Sequence, residues 1–99
     1  MLLIISGLCS TITRTRWNDF IAWARTVIDY INNRDGTSYE TIPTAANMGT
    51  DKILTAAAWN AVDYYARVAC GSTHTEVQKG DIVYGRYFTD LTNLLNNEL

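Results

Sequence analysis

Proline occurs once in these 99 residues, histidine once and cysteine twice. With the lone proline at 43, long stretches on either side are free to be helical. Cys9 and Cys70 fall in no CxxC or other zinc-ligand spacing, which excludes a zinc module and a disulfide framework. Two free thiols in a reducing compartment are expected, with a Cys9–Cys70 bridge as the alternative. The single histidine, His74, lies in the polar run STHTE (72 to 76) and is expected to be a solvated loop residue. A Ser–His–Asp or Cys–His arrangement would have to be built around it, and neither cysteine has a base at a telling spacing. Only His74, Glu76 and Asp81 cluster as candidate ligands, too few for a metal site to be expected. The glycines form neither GxGxxG nor a P-loop, so no cofactor is expected and the chain reads as a non-enzyme.

Charge of either sign is also sparse. Eight basic and ten acidic residues leave a net charge of −2, with no basic stripe for nucleic acid and no acidic block. Long apolar runs are missing, so no transmembrane segment is expected. The opening MLLIISGLC lacks the preceding positive charge and small-residue cleavage site of a signal peptide. Leu8 is not the small residue that a lipoprotein cysteine needs before it. LLII instead reads as a short strand or extended arm on the core, bounded by Gly7. What the chain does have is 47% hydrophobic and 11% aromatic residues. That composition excludes disorder and points to one compact domain.

The aromatics are spaced in a pattern. ITRTRWND (12 to 19), LTAAAWNA (54 to 61) and VYGRYFTD (83 to 90) each place an aliphatic residue five positions before a large aromatic. If Thr13 is an N-cap, its hydroxyl accepts a backbone N–H that the first turn leaves unpaired. Ile12 then precedes the cap and Trp17 is the fourth helical residue, the two positions of a hydrophobic staple. Leu54, Thr55 and Trp59 repeat the arrangement, and Val83 and Phe88 hold the same places around position 84. Three staples in one register predict three internal repeats, about 9–36, 50–71 and 77–99.

The fold class that follows is mainly α, with three amphipathic helices joined by extended connectors in which short β pieces have room to form. The first helix is expected from Arg14 to about Asn33, buried through Trp17, Phe20, Ile21, Ala24, Val27, Ile28 and Ile31. The second runs from Ala56 to about Cys70 with Trp59, Val62, Ala66 and Ala69 inward. The third starts near Gly85 with Phe88, Leu91, Leu94 and Leu95. Gly36 and Gly71 stand where left-handed terminators belong. Asp63 and Arg67 are spaced for a surface ion pair, and Asn18 and Asn60 are expected to bond to neighbouring connector backbone.

The repeated unit resembles short modules, roughly V-x-x-G-[DQ]-x-I-T-A-x-x-W/x-N-x-L before an amphipathic helix, found in structural and tail-associated proteins of bacteriophages and in some bacterial surface repeat proteins. Ile12, Thr13, Trp17, Asn18 and Ile21 match in the first copy, and Leu54, Thr55, Ala56, Trp59 and Asn60 in the second. Val77, Gly80, Asp81 and Val83 match in the third, which departs at Tyr84 and Thr89. The resemblance implies a virion building block that is made in the host cytoplasm and acts through protein contacts with itself or other particle proteins. A small phage-encoded inhibitor of one host protein is the alternative.

Surplus aromatics and arginines are the candidate contact residues, since Tyr, Trp and Arg are enriched at the energetic centres of interfaces. Trp23, Tyr30, Tyr64 and Tyr65 are the best aromatic candidates, with Tyr87 also lying partly off the core stripes. The competing expectation is that a small core absorbs them. Arg14, Arg16 and Arg25 give the first helix a basic side. They oppose the positive end of the helix dipole, so they are expected to face water or an acidic partner, with nucleic acid the weaker expectation.

Overall fold

The computed structural model describes residues 14–47, 55–78, 81 and 85–99. Among these residues three α-helices run in chain order, α1 (Arg14–Asp35), α2 (Ala56–Ala69) and α3 (Gly85–Asn96), with one 3-10 turn at Thr44–Ala46. The protein is mainly α, and no strand occurs among the described residues. Helix α2 packs against α1, α3 and the 3-10 turn.

Local chemistry accounts for the helix ends. Thr55 holds an extended backbone, and its hydroxyl accepts from the Ala58 amide at 3.1 Å, which satisfies one orphan donor of the first turn. Gly36 and Gly71 have φ of 68° and 73°, values costly for a residue with a Cβ. Past each glycine the chain turns back, and the amides of Thr37 and Ser72 donate to the carbonyls of Asn32 and Arg67. Both helices therefore close with the six-to-one bond of a left-handed cap. Helix α1 runs two residues further than the sequence pattern indicates, and α2 one residue less. The proposed cap Thr13 and the aliphatic staple partners Ile12, Leu54 and Val83 lie outside the described residues, as does Cys9.

The aromatic residues of the three expected staples meet in one place. Trp17 and Trp59 have ring centroids 6.3 Å apart, Trp17 and Phe88 5.7 Å, and Trp59 and Phe88 4.7 Å. All three are buried, and the two contacts to Phe88 are edge-on, a favoured geometry for aromatic pairs. Around them pack the other six α1 residues and the other three α2 residues of the expected stripes. In α3 the buried stripe is Phe88, Leu91, Thr92 and Leu95. Leu94 flanks it half-buried, because positions 88, 91, 92 and 95 share a helix face and 94 falls beside it. Ile42 and Ala46 complete the core from the first connector.

The connectors stay extended without a ladder because helix side chains take the role of a neighbouring strand. Asn32 donates its amide to the Tyr39 carbonyl at 3.0 Å and accepts from the Tyr39 N–H at 2.9 Å. Asn60 does the same for Val77, at 2.7 and 2.8 Å. The indole of Trp17 donates to the Ala46 carbonyl at 2.9 Å and ties the 3-10 turn to α1. Trp17→Ala removes a fully buried ring and that bond together, so it should cost about 3–5 kcal/mol. Chemical denaturation of the variant, with an unchanged m-value, measures this directly.

Candidate functional site

Helix α2 turns one face to the core and its flank to a cleft of about 750 Å³. Trp59, Asp63 and Arg67, four residues apart in succession, line it from α2. Thr73, Thr75, Glu76 and Val77 line it from the connector, and Tyr87 and Asp90 from α3, with Asp81 beside them. Among the described residues, four carboxylates and one guanidinium thus line the cleft. Trp59 and Tyr87 form its aromatic wall, with ring centroids 6.4 Å apart. Arg86 lies over the outer part of this wall, its guanidinium carbon 5.3 Å from the Tyr87 centroid.

The connector side of the cleft is fastened by a polar chain. Asp63 forms the expected pair with Arg67 at 2.8 Å, but its side chain is only 5% exposed, so this is a buried pair and not a surface one. A buried carboxylate needs full partnering, and His74 supplies the second partner, with Nδ1 2.7 Å from the other Asp63 oxygen. The expectation of a solvated His74 is therefore corrected: its side chain is 11% exposed. Its Nε2 meets Glu76 at 3.0 Å, and the edge of Tyr64 packs on the ring at 6.0 Å. Local sequence hides this because the residues that capture His74 include one eleven positions away on α2. Glu76 also accepts from Asn60, so helix and connector are joined through Asn60, Asp63 and Arg67 among the described residues.

An Asp–His pair resembles the orienting half of a nucleophilic triad. Here the second nitrogen, which would meet a nucleophile, faces Glu76, and the ring acts as a strut. Among the described residues no group of three His, Cys, Asp or Glu side chains is placed to hold a metal ion.

The candidate contact residues divide into several groups. Tyr30 and Tyr64 are 44% and 48% exposed, and Tyr64 stands edge-on to Tyr65 at 5.1 Å. Trp23 and Tyr65 are half-buried against the core. Arg14 and Arg16 are exposed at the start of α1. Arg25 is engaged within the fold, which corrects its place among the contact residues: it donates to the carbonyls of Ile42 and Pro43 and to Asn47 Oδ1 at 2.8–3.0 Å. That claw holds the only proline-containing loop on α1. The sequence reading missed Asn32, Arg34 and the cleft. Arg34 reaches Asp35 at 2.9 Å and Glu98 at 2.7 Å, joining the ends of α1 and α3. The bonds to Asp35 and Glu98 raise the Arg34 pKa, and the Arg34 guanidinium lowers that of Asp35.

The chain matches no family model, no curated protein and no solved structure.

Two measurements check this arrangement. Asn60→Ala and His74→Ala each remove partners from the same connector, so each should cost about 1–3 kcal/mol. The double variant should cost less than their sum, because one released segment cannot be released twice; a double-mutant cycle in urea reads the difference. The Cys70 thiol is half-buried, and burial, helped by Glu98 and opposed by Arg67 and Arg34, pushes its pKa up to about 11. In a Cys9→Ser background, alkylation of folded Cys70 should keep accelerating about tenfold per pH unit through pH 10. In urea it should level off near the ordinary value of 9.0. The folded state holds the thiol proton more tightly, so this contribution to stability is complete below pH 9 and fades as pH rises through 11.

Proposed function

We propose that this chain is a non-enzymatic assembly component of a bacteriophage virion, associated with the tail or the head–tail junction and acting through protein–protein contacts. The observation that carries the reading is that the outward side of α2 is equipped for contact. Tyr64 is held half-exposed by Tyr65 and His74, and an acidic cleft with an aromatic wall opens on the same helix. A rigid aromatic presented this way loses little side-chain freedom on binding, which is why tyrosine is favoured in contact surfaces. The phage setting is supported by the residues that resemble tail-associated modules, Ile12 to Ile21 and Leu54 to Asn60.

The alternative reading, a small phage-encoded inhibitor of one host protein, draws on the same surface and on the mild acidity of the chain. Self-association separates the two. Light scattering after size exclusion should give a defined trimer, hexamer or larger ring for the assembly component. A monomer near 11.1 kDa across the micromolar range would favour the inhibitor. In the oligomer, Tyr64→Ala should shift the population towards monomer while leaving the helical signal unchanged.

A further inference from the structure

The two tryptophans of the staples differ in one respect. Trp17 gives its indole N–H to a backbone carbonyl, whereas the Trp59 indole N–H makes no hydrogen bond among the described residues, although Trp59 is only 2% exposed. An indole nitrogen is a donor only, and a buried donor without a partner is costly. The Trp59 nitrogen is not sealed inside: among the described residues, Thr92 Oγ1 alone is both fully buried and unpartnered. Trp59 also lines the cleft between α2, the connector and α3.

Beside this donor stand carboxylates with capacity to spare. Asp90 is exposed and has no hydrogen bond or ion pair among the described residues. Asp81 uses one oxygen to accept from the Gln78 amide, and Glu76 is 62% exposed. The chemistry required of an occupant is therefore double: an acceptor for the indole, and a cation for the carboxylates. A peptide carries both at short range, in a backbone carbonyl and an arginine side chain. The planar guanidinium can bond a carboxylate through two N–H groups and stack on an aromatic ring, as Arg86 already does on Tyr87.

We infer that the cleft between α2 and α3 is a docking site for an arginine-bearing segment of a partner protein, its backbone carbonyl on the Trp59 indole and its guanidinium among Glu76, Asp81 and Asp90. The inference rests on the reading of the chain as a protein-contact module, and it specifies which partner chemistry that module takes. Charge complementarity sets the choice: among the described residues the cleft is lined by four carboxylates and by the guanidinium of Arg67, which Asp63 already engages.

The test follows the indole N–H signals of the ¹⁵N-labelled full chain at low salt while acetyl-Gly-Arg-Gly-Arg-Gly-amide is added. Trp59→Phe identifies the signal that belongs to the cleft. That signal should move downfield and saturate while the Trp17 signal stays in place. The same peptide with glutamate for arginine should leave it unmoved. Asp90→Asn, an exposed and near-isosteric change, should weaken the peptide about tenfold, the loss of one charge-assisted bond. The inference is overturned by no saturable shift, by an equal response to the glutamate peptide, or by unchanged affinity in Asp90→Asn. A Trp59 signal that moves on dilution of the protein alone would place a second copy in the cleft and overturn the choice of a foreign segment. Light scattering decides the assembly reading independently, so an oligomer with an unresponsive cleft would sink only this inference.

Discussion

Trp17 is the side chain on which the described core converges. It touches Phe20 on its own helix, Trp59 on α2 and Phe88 on α3, and its N–H holds the carbonyl of Ala46. Four parts of the chain are fixed by one indole. A domain of this size buries a modest fraction of its unfolded surface, so concentrating large rings at a single crossing gives each helix a well-defined docking place. Edge-on contacts add directionality that aliphatic packing alone lacks.

Once the helices are docked by aromatics, the connectors face a hydrogen-bonding problem. Extended backbone beside a helix has no ladder to join, and buried amides must still find partners. Asn32 and Asn60 meet this need with the same device, each using its carboxamide as a one-residue strand opposite Tyr39 and Val77. Arg25 serves the proline loop in the same spirit, and Asp63 with His74 serves the second connector. The helices and connectors are thus held by side-chain clasps, part-buried at Arg25, Asn60 and Asp63 and exposed at Asn32, and each joins a helix to the segment that leads into the next one.

These clasps also shape the outer surface. By holding residues 72–78 against α2, Asn60, Asp63 and His74 create the wall of the cleft, and the polar strut that orients His74 supports Tyr64 from below. Trp59 belongs to both regions: its ring completes the aromatic cluster and also lines the cleft. The cleft is therefore an extension of the core, and a partner of the kind proposed would sense the packing of the three helices.

Much of the fold was legible without coordinates, because helices announce themselves over short distances. The stripes of α1 and α2, the Thr55 cap and the glycine terminators at 36 and 71 depend on neighbours within one or two turns. The Asp63–Arg67 pair and the Asn60 bond to its connector were also readable from spacing. Tertiary packing decided the rest. Arg25 shares a helix and a charge with Arg14 and Arg16, yet a loop 17 to 22 residues away takes its guanidinium. His74 lies in a run of small polar residues, yet Asp63 removes it from solvent. The cleft exists only where α2, a connector and α3 meet. Periodicity and capping are properties of adjacent residues, whereas the partner of a long polar side chain is chosen by whichever backbone the packed core carries past it.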